Sequence, residues 1–203
     1  ATAAFPCPQL HAQKQALLAH ASGAVVEVGC GAAVDVGYVP ADVDTYAAVE
    51  ASVLLDDLIE ANVQELLVKR AENGIAVSVV HAIAQELPFD DESVDTLIAI
   101  RLLCTVDDMA AVLQEFRRVL KPGGKYLFLE HTAHEERWSG TALLQHLIMP
   151  LWKVLGQGCQ PNHRTWEAIE AAGFAAVQLE HFELDTGAWL WFIRPHIMGV
   201  AVK

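Results

Sequence analysis

Two hydrophobic periods alternate along this chain. Short β-branched runs, which predict buried strands, are separated by longer stretches in which apolar residues recur every three or four positions, as they do in helices. The alternation indicates a parallel sheet covered by helices. The predicted strands are a run from Ala24 to Glu27, then Thr45–Glu50, Ile75–Val80, Val94–Ile100 and Tyr126–Glu130. The predicted helices are Leu10–Ala21, Val53–Arg70, Asp107–Leu120 and Arg164–Ala172.

The last part of the chain departs from this alternation. Two apolar runs, Ala176–Glu183 and Trp191–Val202, flank a polar turn around Asp185-Thr186-Gly187, which predicts an antiparallel hairpin. We therefore predict an α/β fold of one domain over residues 1–203. It is a Rossmann-like, seven-stranded, mostly parallel sheet with a C-terminal antiparallel hairpin and helices on both faces.

A long segment, residues 131–163, separates the fifth strand from the last helix. It contains Trp138 and a row of leucines from Leu143 to Leu155 at helical spacing, interrupted by Pro150. Core packing is the first interpretation of this apolar stripe, and a substrate lid or a membrane-facing surface is the alternative. We expect the segment to be an insertion that covers the substrate.

Composition narrows the class of protein. The 203 residues are 53% hydrophobic and carry a net charge of −13, and the mean hydropathy is +0.29. The acidic charge opposes nucleic-acid binding, which needs basic residues to neutralise phosphates. No apolar run reaches the ~18 residues of a membrane span, and no signal peptide is visible. The cysteines form no Cys-x-x-Cys pair, so we expect neither zinc nor disulfides, and a cytoplasmic location.

The first strand ends in Glu27-Val-Gly-Cys-Gly31, a tight turn between a strand and a helix. Its glycines let backbone N–H groups approach a ligand with no Cβ in the way. About 20 residues later the second strand ends in Glu50, where a carboxylate can accept both hydroxyls of a ribose. The pair predicts a nucleoside-containing cofactor. A nicotinamide dinucleotide fits poorly, because the third glycine of its fingerprint would fall at Val34.

Four motifs spread along the chain carry a family resemblance: Glu27-Val-Gly-Cys-Gly31, Glu50, Glu86-Leu-Pro-Phe-Asp-Asp-Glu-Ser-Val-Asp95 and Glu115-Phe-Arg-Arg-Val-Leu-Lys-Pro-Gly-Gly124. They resemble class I S-adenosylmethionine-dependent methyltransferases. A second set lies in the C-terminal half: Glu130-His131, Trp152, Gly158-Cys159, Arg164-Thr-Trp166 and Arg194-Pro-His-Ile-Met-Gly-Val-Ala-Val-Lys203. It resembles the methyltransferase-like 7 group, which are small thiol and alkyl-thiol methyltransferases.

The resemblance implies S-adenosyl-L-methionine as the cofactor and a small apolar molecule, most simply a thiol, as the methyl acceptor. It implies no nucleic-acid partner. Members of the narrower group carry an N-terminal membrane anchor, so peripheral membrane association, at the cytosolic face of an intracellular membrane, would come from residues absent from this chain. The implied cofactor-binding residues are Glu27, Gly29, Cys30, Gly31, Glu50, Ala51, Ala84, Gln85, Ile100 and Arg101.

Two positions depart from the family pattern. Ala33 stands where the family usually has a third glycine, and we expect a negative φ there, because a Cβ disfavours the left-handed region. Ile83 stands where many relatives have an aspartate for the adenine amino group, so adenine recognition would fall to backbone groups or to Gln85. Glu27 is expected to orient the loop or to meet the methionine amino group.

His131 follows the fifth strand directly and is our candidate for the catalytic proton acceptor. A purely structural, hydrogen-bonded histidine is an equal alternative, and His134 could share the role. We expect no metal, because His131, His134 and Glu135 have no further ligand at a credible spacing. Cys104 and Cys159 lie near predicted loop ends that face the site; we interpret them as buried, inert cysteines, and a reactive thiol is the alternative.

Three other functions stay open at this point. The same fold could methylate oxygen or nitrogen of a lipophilic metabolite. Ala33 and Ile83 would also suit a binding module that keeps the fold without the activity. A nicotinamide-dependent oxidoreductase is disfavoured by the missing third glycine and by the terminal hairpin.

Overall fold

The computed structural model describes residues 8–55, 57–62, 76–187 and 190–203. Within them, seven strands form one sheet in the order β3-β2-β1-β4-β5-β7-β6. The strands are β1 (Ala24–Val28), β2 (Thr45–Glu50), β3 (Ala76–His81), β4 (Val94–Ile100), β5 (Leu120–His131), β6 (Ala176–Glu183) and β7 (Pro195–Val202). The helices are α1 (Pro8–Leu18), α2 (Met109–Val119), α3 (Gly140–Leu155) and α4 (Thr165–Ala171), and residues 57–62 are also helical.

The pairing of the strands confirms the predicted fold class. Strands β1 to β5 are joined by parallel ladders, and β7 runs antiparallel to both β5 and β6. The chain order reverses between β1 and β4, which are neighbours in the sheet. Ligands of open α/β sheets bind at such a reversal, beyond the carboxyl ends of the strands.

Two apolar layers cover the two faces of the sheet. Val26 and Leu97 pack in the layer that includes helix α2, whereas Val25 and Ile98 pack in the layer that includes α1. Successive strand residues point to opposite faces, so a central strand buried on both sides is apolar at most positions. The apolar residues of β1 and the run Leu97–Ile100 of β4 follow from their central place, and the buried Glu27 is an exception.

The prediction for the fifth strand was wrong at its start, because β5 begins at Leu120, six positions before the predicted Tyr126. The segment Pro122-Gly123-Gly124 lies inside β5. The ladder to β4 shifts its register between Val94 and Thr96, so an irregularity in the pairing accommodates these residues. Gly123 has a φ of +79°, and its N–H donates to the carbonyl of Lys203 at 2.9 Å.

Other predicted boundaries also moved. Trp191–Ile193 is a short 3-10 turn, and β7 starts only at Pro195. Val53–Leu55 is another 3-10 turn at the start of the predicted helix over residues 53–70. The remainder of that helix beyond residue 62, residue 56 and the first residue of the predicted third strand lie outside the described residues.

Helix α3 carries two findings. It continues through Pro150, because that proline is exposed and water can reach the carbonyl that loses its partner. Its apolar stripe does not pack in the core as first interpreted. Leu147 is 80% exposed, and Trp138, just before the helix, is 86% exposed. The helix buries Ala142 and Gln145, and the Gln145 amide donates to the carbonyls of Thr132 and Phe192.

No helix among the described residues has the length and apolar character needed to cross a membrane.

Candidate active site

The glycine loop, residues 28–33, joins β1 to the turn that follows it. Gly29 and Gly31 have φ values of +69° and +55°. The N–H groups of Gly29 and Cys30 both donate to the carbonyl of Val49, which fixes the loop to β2. A Cβ on Gly29 would come within 2.7 Å of Leu102, whereas a Cβ on Gly31 would meet nothing within 4 Å. The space beside Gly31 is therefore open to a ligand.

Ala33 corrects the expectation of a negative φ. Its φ is +52°, in the left-handed region that costs a non-glycine residue about 1–2 kcal/mol. Two contacts hold it there. Its N–H donates to the carbonyl of Cys30 at 2.8 Å, and its methyl group is fully buried in the layer that includes α1. The loop therefore keeps the turn that a glycine would give.

Glu50 lies at the carboxyl end of β2 and faces the glycine loop. Its carboxylate accepts backbone hydrogen bonds from Gly31 at 2.9 Å, Ala51 at 3.0 Å and Ser52 at 3.1 Å. A carboxylate has about four acceptor positions, so it keeps capacity for a hydroxyl donor beside the loop. This arrangement fits the ribose of a nucleoside.

Glu27 lies beneath the loop and is 2% exposed. The hydroxyl of Tyr46 donates to its carboxyl group. Burial, with the nearby charge of Asp35, raises the pKa of Glu27 to about 8. Asp35 is itself paired with Lys14 of α1 at 2.6 Å, and both side chains are buried. Of the two expected roles for Glu27, orientation of the loop agrees with this buried network.

Ala84 and Gln85 form a tight turn next to Glu50. The N–H of Ala82 donates to the carbonyl of Glu50, and the N–H of Glu86 closes the turn on Ile83. Ala84 is buried, whereas Gln85 and Ile83 are exposed. The turn therefore lies beside the carboxyl end of β2, and its Gln85 side chain is exposed there.

Ile100 and Arg101 end β4 opposite the glycine loop. Arg101 is exposed and has a φ of +58°. The loop that follows, residues 101–105, is held by a carboxylate that the sequence analysis did not assign to the site. Glu130 of β5 accepts backbone hydrogen bonds from Leu102, Leu103 and Cys104, and burial raises its pKa to about 8. The sequence held one signal for this role of Glu130, namely an acidic residue directly after the apolar run of β5.

His131 lies at the carboxyl end of β5 and is 3% exposed. Its Nδ1 is 3.0 Å from Sγ of Cys159, and its Nε2 is buried without a hydrogen-bond partner. The Cys104 thiol is a second neighbour of the same sulfur, and its S–H donates to the carbonyl of Arg101 at 3.6 Å. Interaction with Cys104 and then with His131 lowers the pKa of Cys159 to about 4. The interpretation of both cysteines as inert did not anticipate this cluster.

His134 has a local structural contact. Its Nδ1 accepts a hydrogen bond from the N–H of Glu136 at 3.2 Å. Oε1 of Glu135 lies 3.6 Å from Nε2 of His181, a residue of strand β6. Within the part of the chain that the structure describes, no group of three or more His, Cys, Asp or Glu side chains could hold a metal ion.

The structure thus gathers the predicted site residues at one edge of the sheet. The glycine loop, Glu50 and Ala51, the turn at residues 84–85 and the end of β4 border the proposed nucleoside position. His131 lies at the end of the next strand, β5. Glu27 alone lies below this surface.

Comparison with known proteins identifies the family. Residues 26–128 match a methyltransferase domain, which is about half of the chain. Thiol S-methyltransferase TMT1B of Rattus norvegicus is 44% identical over 113 residues, which are 56% of this chain and 45% of that relative. This chain therefore spans about half the length of the curated relatives that it matches. The match confirms the resemblance to thiol methyltransferases.

Solved structures share the fold at low sequence identity. The YcgJ protein of Bacillus subtilis superposes with a TM-score of 0.68 at 18% identity, covering 97% of this chain and 98% of that one. Geranyl diphosphate C-methyltransferase of Streptomyces coelicolor, determined with S-adenosyl-L-homocysteine, gives a TM-score of 0.67 at 16% identity, covering 95% and 77%. The family and the fit of Glu50 and the glycine loop to a nucleoside support S-adenosylmethionine as the cofactor. The chain belongs to the methyltransferase domain family.

Proposed function

We propose that this protein transfers a methyl group from S-adenosylmethionine to a small apolar thiol. The observation that carries the proposal is His131, a buried imidazole with an unpartnered Nε2 at the carboxyl end of the sheet. A histidine in this position can take a proton from an acceptor that lies between it and the cofactor. The similarity to the thiol S-methyltransferase of the rat supports the class of acceptor.

The residues around the glycine loop would hold the cofactor. The Glu50 carboxylate would accept a ribose hydroxyl, and the open space beside Gly31 would take the sugar and methionine portions. The turn at Ala84 and Gln85 would border the adenine, and Ile100 and Arg101 the methionine end. When bound, S-adenosylmethionine supplies a methyl group on an activated sulfonium, so alignment of the acceptor can contribute ~7–11 kcal/mol to lowering the barrier.

Deprotonation of the acceptor would fall to His131. Even a thiol as acidic as the cysteine side chain, with a pKa of about 8.5, is only a few per cent thiolate at neutral pH, and a simple alkyl thiol is a weaker acid. Cys159 as a thiolate accepts the Nδ1–H of His131, and this tautomer leaves the lone pair of Nε2 free to accept the thiol proton. His131 would thus accept the proton, whereas the residues around the glycine loop would hold the methyl donor.

The segment 131–163 would cover the acceptor. Trp152 of α3 packs perpendicular to Phe192 with ring centroids 5.0 Å apart, which provides an apolar wall at the end of the sheet. An apolar wall excludes water from the reaction and favours a small acceptor without charge. The net charge of −13 disfavours a nucleic acid in the same position.

A panel of acceptors with graded pKa values tests both parts of the proposal. Cofactor binding is measured by calorimetry, and turnover is measured with alkyl thiols, acidic aryl thiols, phenols and amines. We expect turnover with thiols, and a loss of kcat of about 100-fold for alkyl thiols in His131→Gln, because general base catalysis is removed. The loss should shrink for the acidic thiols, which need no base, and KM should change little.

The outcomes separate the alternatives. Cofactor binding with turnover of phenols or amines alone would replace the thiol by an oxygen or nitrogen acceptor. An equal loss for all thiols in His131→Gln would contradict its role as the base. A protein that binds no cofactor would be a binding module that keeps only the fold.

A further inference from the structure

Two cysteines from separate loops meet beside His131. Cys104 belongs to the loop after β4, and Cys159 follows helix α3. Nδ1 of His131 lies 3.0 Å from Sγ of Cys159, and the Cys104 thiol, which donates to the carbonyl of Arg101 at 3.6 Å, is a second neighbour of that sulfur. We define these side chains, Cys104, His131 and Cys159, as the sulfur cluster. The proposed methyl transfer gives Cys104 no role.

The backbones of the two loops are fastened to each other. The N–H of Gln160 donates to the carbonyl of Cys104 at 2.8 Å. A Cβ on Gly158 would lie 3.7 Å from Cβ of Thr105, so the chain segments run in van der Waals contact. The two cysteines therefore lie on backbone segments that are held directly against each other.

The two cysteines differ in the way that a reactive pair requires. Cys159 is partly exposed, and its neighbours Cys104 and His131 stabilise the thiolate, which is the nucleophilic form. Cys104 is 2% exposed and its pKa is raised. Cys30 provides a contrast, because burial and the charges of Glu27 and Glu50 raise the pKa of its thiol.

We propose that Cys159 and Cys104 form a redox-active pair that a peroxide converts to a disulfide. The Cys159 thiolate attacks one oxygen of hydrogen peroxide and forms a sulfenic acid, and the leaving hydroxide takes a proton from solvent to give water, which replaces the proton that Cys159 released as it became a thiolate. The Cys104 sulfur then attacks the sulfenic sulfur and releases its hydroxyl group, which leaves as a second water with the thiol proton of Cys104. The two thiols are oxidised by two electrons and one peroxide is reduced to two waters.

The disulfide would stop methyl transfer, and this consequence rests on the proposed function. His131 would lose the thiolate that accepts its Nδ1–H and orients the ring. The loop after β4, which borders the methionine end, would be tied covalently to the turn after α3. The lost orientation of His131 and the restraint of the loop would both act on the candidate active site.

Peptide mapping of the oxidised protein tests the pair without any turnover. The reduced full chain is treated with one equivalent of hydrogen peroxide, alkylated, and cleaved with trypsin without reduction. Cleavage after Arg101, Arg117, Lys153 and Arg164 places Cys104 in peptide 102–117 and Cys159 in peptide 154–164, each with a single cysteine. We expect the two peptides to be joined, with a mass lower by two hydrogen atoms than their sum.

Matched variants define the result. Cys159→Ser and Cys104→Ser should each abolish the joined peptide, and Cys30→Ser should leave it in place. In the wild-type protein the link should form at least ten times faster than peptide 15–69, which contains Cys30, is oxidised. Absence of the link in the wild-type protein, or equal oxidation of the Cys30 peptide, would overturn the proposal.

The effect on activity is measured separately. Oxidised protein should lose at least nine-tenths of its thiol methylation, and a phosphine should restore it; a dithiol reductant is avoided because it could itself accept a methyl group. A link that forms without loss of turnover would overturn the inhibition. A protein that methylates no thiol but forms the link would contradict the proposed function alone.

Discussion

Two residues of the glycine loop share one backbone conformation and serve different purposes. Gly31 and Ala33 have φ values of +55° and +52°. Ala33 shows that this loop tolerates a methyl group in the left-handed region when the methyl is buried. The Cβ position of Gly31 points instead into open space, where we propose that the cofactor binds.

Gly31→Ala should therefore separate folding from binding. The strain of the left-handed region should lower the free energy of unfolding by about 1–2 kcal/mol. The added methyl would occupy cofactor space and lower the affinity for S-adenosylmethionine at least tenfold. Urea unfolding and calorimetric titration measure the two effects, and an unchanged affinity would place the cofactor elsewhere.

Glu50 gives a second prediction at the scale of one side chain. Glu50→Gln keeps one oxygen for the N–H of Gly31 but removes the charge that a ribose hydroxyl would meet. Hydrogen bonds to charged groups contribute about 1.5–3 kcal/mol, so we expect a 10- to 100-fold weaker affinity for the cofactor by calorimetry. Glu180→Gln, an exposed carboxylate on strand β6, is the matched control and should bind normally. Equal affinities in the two variants would contradict the ribose contact.

At the scale of elements, sequence patterns predicted strands better than connections. Strands β2, β4 and β6 have the predicted ends, because each is an apolar or alternating run bounded by polar residues. The start of β5 was missed, because a proline and two glycines ordinarily end regular structure. The exposure of α3 was also missed, because periodicity shows that a helix has an apolar face without showing what covers it.

Arg118, at the end of helix α2, shows the same limit. Nothing in the local sequence pattern links it to the acidic turn Asp90-Asp91-Glu92, almost thirty positions earlier. In the structure its guanidinium donates to two carboxylates and two carbonyls, those of Glu115, Asp91, Leu87 and Phe89. A planar guanidinium with its fixed set of donors joins the helix to the turn that precedes β4.

Arg118→Lys should consequently lower stability although the charge is kept. An ammonium cannot reach all the acceptors of the guanidinium, so we expect a loss of about 1–2 kcal/mol in the free energy of unfolding. Arg137→Lys is the control, because Arg137 is 65% exposed and its contact with Glu167 should contribute little. Urea unfolding measures both, and equal stabilities of the two variants would show that the Arg118 contacts contribute nothing.

One part of the candidate site could be predicted from the sequence, and another part could not. The glycine loop and Glu50 could be predicted because their spacing is local and their residue types are dictated by the ligand. The cluster of His131 and Cys159 could not, since its members come from separate elements and only the fold brings them together. Glu130 was visible as an acid after the apolar run of β5, but its role was missed because its partners are backbone amides, which no residue type in the sequence specifies.

At the scale of the whole molecule, two buried carboxyl groups link folding to pH. Burial raises the pKa values of both Glu27 and Glu130 from 4.5 to about 8. Between pH 4.5 and about pH 8, the two glutamates keep their protons in the native state, whereas the unfolded chain has released them. The native state therefore loses stability as the pH rises through this range. This contribution is complete below pH 4.5 and is lost as the pH passes about 8.

Glu27→Gln and Glu130→Gln, alone and combined, test this linkage. Each glutamine keeps a similar shape and removes one titration, so the decline in unfolding free energy from about pH 5 to about pH 8 should be shallower than in the wild-type protein, by at least about 1 kcal/mol per site. Urea unfolding across this range without cofactor measures the decline. Glu180→Gln, which alters an exposed carboxylate, should follow the wild-type curve. Parallel curves for all variants would mean that Glu27 and Glu130 are ionised in the native state, and that Tyr46 and the loop amides stabilise charged carboxylates there.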